Sequence, residues 1–344
     1  MHVFKHLKRV VTDWFLCGML LAVLLAWLFP TFGASGGAMH AGLVTNIGVF
    51  VVFFLHGMNL SSEQIRHGLK NWRLHVMVQA FTFVVFPLLW LACDKTVGAF
   101  IPGTLMVGFL YLAALPSTIS SSVALTGSAG GNVPAAILNA SLSSVLGIFI
   151  TPFLCALVVG DGSGGIDLGE TLLDLCAMLL LPLVLGQLLR PLFGRFFGRH
   201  KRYTNLIDKA VILLLVYAAF CNSMVSGLWQ QQGASVLAIA VGGSAMLLAL
   251  ILLLTTRTAK ALGFNHADKV VAVFCASKKS LAAGAPMAAL IFGSNPGLGL
   301  ILLPIMIYHP LQLIVCSIMA ENYANRLRLD QAASEPSGTA ISAR

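Results

Sequence analysis

The sequence predicts an all-α polytopic membrane protein of ten transmembrane helices, arranged as two inverted five-helix repeats with helices 4 and 9 broken and crossing. Three observations carry that expectation. Of the 344 residues 58% are hydrophobic and only 10% charged, with a mean hydropathy of +0.90; a soluble domain carries about 25% charged residues. At about 20 apolar residues per crossing, the hydrophobic stretches divide into ten spans. The basic residues then fall almost entirely on one side of those spans.

The spans run at 11–29, 41–60, 74–93, 104–128, 132–158, 171–190, 205–228, 234–256, 269–292 and 297–322. The first follows Lys5, Lys8 and Arg9 and could imitate a secretory signal, with Ala34–Ala38 as the cleavage region. The length of its apolar run and the many spans behind it favour a retained helix. One side of the map holds Lys5, Lys8, Arg9, Arg66, Lys70 and Arg73, then the cluster from Arg190 to Lys209. It also holds Arg257, Lys260, Lys269, Arg326, Arg328 and Arg344, against Lys95 alone on the other side. The positive-inside rule therefore puts both termini in the cytoplasm, as expected of a multi-pass protein of a plasma or bacterial inner membrane. The acidic, Gly-rich loop Gly160–Gly169 separates the halves 1–159 and 160–325. Residues 326–344 are expected to form a disordered cytoplasmic tail. With an odd number of helices per half, the second half enters the bilayer inverted relative to the first.

Two spans contain polar interruptions. In the fourth, Pro116 removes a backbone donor, and Ser117, Thr118, Ser120, Ser121 and Ser122 follow it. In the ninth, the run Ser277-Lys278-Lys279-Ser280 sits in otherwise apolar sequence from Val270 to Phe292. A lysine at membrane depth costs roughly 2.5–3.5 kcal/mol and marks a pathway or a partner. A short cytoplasmic loop at this point would leave pieces too short to cross alone. Interrupted helices expose backbone groups that lipid cannot satisfy, so they persist where they line a cavity or bind something. Back-bonding of single hydroxyls to their own helix is common, but five hydroxyls within six positions after a proline read as a site.

Polar residues on neighbouring spans could complete a pocket. Asn132, Asn139 and Ser143 share a face of the fifth span, with Ser144 adjacent. Gln79 and Thr82 share a face of the third, and Tyr308 and Gln312 one of the tenth, close to His309. Each taken singly also fits a helix–helix hydrogen bond; His56 reads as a packing or interfacial residue. The twelve acidic residues all fall in loops or near span ends, so the uncompensated central charge is positive. That favours an anionic substrate or a chloride-like counter-ion.

Other classes fit less well. The net charge of +9 lies in short loops between apolar spans, which argues against nucleic acid. The seven cysteines are isolated, without metal-ligand spacing, and no phosphate-binding glycine loop is present. An intramembrane Ser–Lys hydrolase would need an oxyanion hole and a water path, and no glycine-framed serine accompanies Ser277 or Ser280. The chain is therefore expected not to be an enzyme and to need no cofactor. A receptor on a carrier fold remains an alternative.

Several segments in combination resemble the bile acid:sodium symporter superfamily, in its bacterial SBF-like branch, which includes relatives of the orphan seventh vertebrate bile-acid carrier. They are Phe53-Phe54-Leu55-His56-Gly57, Asn71-Trp72-Arg73-Leu74-His75, Gly108-Phe109-Leu110-Tyr111-Leu112 with Leu115-Pro116, and Gly130-Gly131-Asn132-Val133. Phe274-Cys275 through Ser277-Lys278-Lys279-Ser280-Leu281, and Gly284-Ala285-Pro286-Met287, complete the set. The resemblance implies ten helices, a core of helices three to five and eight to ten, and a panel of the others, with alternating access between them. It also implies a sodium position near Ser121, Ser122 and Ser144, with Ser143 nearby, and a glutamine position near Thr82, one turn from Gln79. Sodium-coupled relatives carry a glutamate and a glutamine at the ninth-helix break, where this chain has the two lysines. The expectation is a secondary carrier of a small organic anion in which Lys278 or Lys279 stands in for sodium. Coupling would then be sodium-independent or proton-linked, with oligomeric state and substrate identity open.

Overall fold

A computed structural model describes residues 13–59, 71–159, 168–293 and 295–334. The basic residues Lys5, Lys8, Arg9, Arg66, Lys70 and Arg344, most of the loop 160–169 and the tail beyond 334 lie outside the described residues. Among the described residues the structure is helical throughout, without strands. The helices are α1 (Trp14–Leu28), α2 (Ala41–Asn59), α3 (Trp72–Phe100), α4 (Gly103–Ala114), α5 (Ser120–Ser128), α6 (Val133–Val159) and α7 (Leu168–Arg199). There follow α8 (Lys201–Val225), α9 (Leu228–Ala261), α10 (His266–Ser277), α11 (Leu281–Ile291) and α12 (Leu298–Ser334).

Seven of these, α2, α3, α6, α7, α8, α9 and α12, are long and apolar enough to cross a bilayer singly. The 15 residues of α1 and the 12 of α4 are shorter apolar helices. The fourth predicted span is α4 plus α5 and the ninth is α10 plus α11, so both expected interruptions are present. α12 continues to Ser334, so residues 326–334 are helical where the sequence suggested a disordered tail. A helix hydrogen-bonds its own backbone and can extend into water past the apolar stretch that defines the span. For the same reason α9 absorbs the expected connector Trp229–Gly233.

Burial separates two kinds of helix. Every residue from Val270 to Ala276 in α10, and nearly every one from Leu281 to Ala288 in α11, is buried. On α7, by contrast, Leu181, Leu188 and Leu192 are 60–74% exposed along one face, the pattern of a helix that shows its apolar side to lipid. α7 packs chiefly on α2, and α8 on α1. The α2–α7 contact rests on two glycines: a Cβ at Gly57 would lie 2.1 Å from the Leu183 carbonyl oxygen, and one at Gly186 2.2 Å from that of Phe54. Small residues permit this backbone-to-backbone approach, the main route to tight helix association in lipid. α4 packs against α12, and α9 against α10 and α12. α8 bridges the two groups through α11 and α12.

Candidate functional site

α4 ends where Pro116 cannot donate and Leu115 turns extended, at φ −66°, ψ 150°. The groups released by the break find specific partners. The Ser117 N–H donates to Ser143 Oγ at 2.9 Å, and the Ser117 hydroxyl donates to the Cys275 carbonyl at 2.6 Å. The Thr151 hydroxyl donates to the Ala114 carbonyl at 2.8 Å. Thr118 Oγ1 lies 2.7 Å from Ser121 Oγ and 3.1 Å from Ser122 Oγ, a hydroxyl cluster at the start of α5.

The second interruption is three residues long. Lys278 is extended, at φ −95°, ψ 149°, and Ser280 caps α11 by accepting the Ala283 N–H at 3.2 Å. The Tyr308 hydroxyl donates to the Ser277 carbonyl at 2.7 Å. Gln312 grips the Lys279 peptide on both sides: its Oε1 accepts the Lys279 N–H and its Nε2 donates to the Lys279 carbonyl, each at 2.8 Å. That pairing fixes the amide orientation, so the His309 Nδ1 at 3.2 Å from Nε2 acts as an acceptor. The two interruptions also bond to one another. The Ser280 N–H donates to the Pro116 carbonyl at 2.9 Å, and the Tyr111 hydroxyl to the Gly284 carbonyl.

The two lysines are both fully buried and otherwise unlike. Lys279 Nζ donates to the carbonyls of Thr82, Ala113 and Leu115 at 2.8, 2.7 and 2.8 Å, which uses all three of its protons. It also sits 4.0 Å from the centre of the Phe86 ring. Each of those carbonyls is short of its usual helical partner or lies at the break. A π-turn spans Phe81–Val85 and hands the Phe86 N–H to Phe81, and the following Pro87 has no N–H, so Thr82 keeps a free carbonyl. Ala113 loses the Ser117 N–H to Ser143, and Leu115 lies past the end of α4. The ammonium is thus a fixed positive charge on carbonyls from α3 and the α4 terminus, where the helix dipole is negative.

Lys278 Nζ has no hydrogen-bond partner among the described residues. The Phe274 ring centre is 5.5 Å away, and Cys275, Cys316 and His309 lie within electrostatic reach.

The other expected site residues are distributed as follows. Ser143 and Asn139 are buried on α6; Asn139 Nδ2 bonds the Ala135 carbonyl at 2.9 Å, and Gln79 Nε2 the Asn139 carbonyl at 3.0 Å. The side-chain oxygens of Gln79 and Asn139 are left without partners. Thr82 and Ser144 turn their hydroxyls back onto their own helices, to Val78 and Ala140; for Thr82 the backbone carbonyl, not the hydroxyl, meets the site. Ser120 is exposed. Among the described residues no group of three or more His, Cys, Asp or Glu side chains could hold a metal ion.

Sequence reasoning missed one polar centre. Asp268, 9% exposed, accepts from Asn71 at 2.8 Å, Asn132 at 3.1 Å and Asn265 at 3.3 Å, joining the start of α3, the α5–α6 turn and the start of α10. An acid near a span end gives no local cue to partners that lie 197 and 136 positions away in the chain.

Comparison with known proteins supplies the family. Residues 13–325 match the model of the SBF-like CPA transporter family. A candidate symporter of Escherichia coli, YfeH, is 40% identical over 95% of this chain and 97% of its own length. An uncharacterized protein of Pseudomonas aeruginosa is 42% identical over 95% and 97%. The sodium/bile acid cotransporter 7 of Danio rerio is 33% identical over 91% and 94%. The Escherichia coli and Danio rerio relatives carry symporter and cotransporter names and the family is one of transporters, so the chain is a transporter and not an enzyme. It belongs to the SBF-like CPA transporter family.

Proposed function

We propose that this protein is a secondary carrier that moves a small organic anion by alternating access, without sodium as an obligatory partner. The observation that supports this best is the Lys279 ammonium on the carbonyls of Thr82, Ala113 and Leu115. Helix-break carbonyls at membrane depth are where transporters of this kind of architecture coordinate a coupling cation. Here a covalently attached cation takes them. The unpartnered side-chain oxygens at and near the interruptions, on Gln79, Asn139 and Ser277, are two neutral amides and a hydroxyl, a weak set for a second cation.

The same reading takes α4–α5 and α10–α11 as corresponding broken helices of two inverted five-helix repeats, 1–159 and 160–325, with both termini in the cytoplasm of a bacterial inner membrane. α1, α2, α7 and α8 would form the panel, and the other helices the core. The rival reading is the sodium coupling that the name of the Danio rerio relative states. A receptor that binds without moving substrate gains nothing from relatives named as transporters.

Substrate counterflow in proteoliposomes, run in sodium and in choline, separates the alternatives. The expected result is exchange of an organic anion at equal rates in both salts, or at rates set by a proton gradient. A requirement for sodium that survives in Lys278→Ala and Lys279→Ala variants would overturn the proposed coupling. Binding without any exchange would favour the receptor.

A further inference from the structure

The structure separates the two buried lysines by what their side chains touch. Lys279 is saturated by three carbonyls, so it has no proton left to offer a ligand. Lys278, also at 0% exposure, has no acceptor within hydrogen-bond distance among the described residues. An unpaired ammonium away from water is among the costliest groups a protein can bury, so a built-in counter-charge would be expected beside it. None of its neighbours supplies one. Phe274 offers a ring at the limit of a cation–π contact, Cys275 and Cys316 offer thiols, and His309 offers an imidazole whose Nδ1 faces Gln312.

A polar line connects Lys278 to the exposed start of α5. Cys275, near Lys278, donates its thiol to the Ala136 carbonyl at 3.8 Å and lies close to the Ser122 hydroxyl. Ser122 lies 3.1 Å from Thr118 Oγ1, which lies 2.7 Å from the half-buried Ser121. Ser120, next in line, is exposed. Hydroxyls donate to anions, and this run joins the exposed start of α5 to the vicinity of Cys275.

We propose that Lys278 is the anchor of the transported anion: it supplies the positive charge that pairs with one carboxylate, sulfonate or comparable monoanionic head, while Lys279 serves only as fixed internal cation. The assignment rests on the anion-carrier reading above. A bound monoanion leaves only the carbonyl-held Lys279 charge at the break, where the empty site carries two positive charges. The ligand therefore lowers the cost of burying Lys278, and the carrier is stabilised when loaded.

The test uses the purified full-length protein in sodium-free choline buffer at constant ionic strength. Acetate, methanesulfonate, phosphate and taurocholate serve as probes in thermal-shift titrations. The wild-type protein is expected to be stabilised by at least one monoanion. Lys278→Met is expected to fold, because no native hydrogen bond is lost, and to bind that anion at least about tenfold more weakly, the loss of one charge-assisted contact. Lys278→Arg should recover part of the affinity. Equal anion affinity in wild-type and Lys278→Met overturns the assignment while leaving the anion-carrier reading in place. A wild-type protein that answers none of the four anions overturns that reading, and this assignment with it. Should Lys278→Met fail to fold, Lys278→Gln, polar but uncharged, takes its place, and anion affinity unchanged in a folded Lys278→Gln overturns the assignment.

Discussion

At the scale of single residues, neighbouring positions in one interruption have taken opposite roles. Lys279 satisfies carbonyls that a proline, a π-turn and a helix end have left without amides. Removing its charge leaves three buried acceptors unpaired, each costing about 1–3 kcal/mol. Lys279→Met is therefore expected to lower the stability of the purified protein by at least about 3 kcal/mol, read as a fall in melting midpoint, and Lys278→Met to leave the midpoint unchanged or raise it. Equal losses at the two positions would count against the distinction. Gln312 reinforces the same point, because a side-chain amide that binds both the N–H and the C=O of one residue holds that residue out of a helix.

Among elements, two devices hold helices together without large apolar side chains. The α2–α7 contact needs both Gly57 and Gly186, since a Cβ at either would fall within 2.2 Å of a carbonyl oxygen on the facing helix. Gly57→Ala and Gly186→Ala should each reduce folded yield and melting temperature sharply. Gly42→Ala, on the same helix with nothing within 4 Å of its Cβ position, should leave both unchanged; a tolerated Gly186→Ala would show that the helices can separate at little cost. The second device is the Asp268 centre. An Asp268→Asn substitution would place an amide N–H against the amide donors of Asn71, Asn132 or Asn265. A loss of about 1–3 kcal/mol is expected, with loosening of the α3, α5–α6 and α10 ends in hydrogen exchange; protection unchanged there would refute the coupling.

For the molecule as a whole, one polar link between its two helix groups lies at the end of α8. Ser223 Oγ donates to the Pro296 carbonyl at 2.7 Å and accepts the Gly299 N–H at 2.9 Å. In the proposed topology this is the outer end of the panel–core contact, and opening outward must break the Ser223 pair. Ser223→Ala should therefore shift the population towards outward opening. A cysteine introduced by Ala288→Cys, at a fully buried position of α11, should be labelled faster from outside in that background. An unchanged labelling rate would show that the latch does not hold the outer side shut.

The positions of the two interruptions were legible in the sequence because proline, clustered hydroxyls and charge have no other reason to sit in apolar runs of this length. The family was legible from short segments such as Ser277-Lys278-Lys279-Ser280-Leu281, since backbone geometry at a break constrains residue type locally. The division of labour between Lys278 and Lys279 was not, nor was the Asp268 centre. Both depend on partners more than a hundred positions distant, and a chain carries no local mark of which distant carbonyl it will meet. Hydropathy and helix-breaking chemistry act between near neighbours and could be read from order alone; the pairing of buried charge with orphaned backbone was decided only when separate helices packed together.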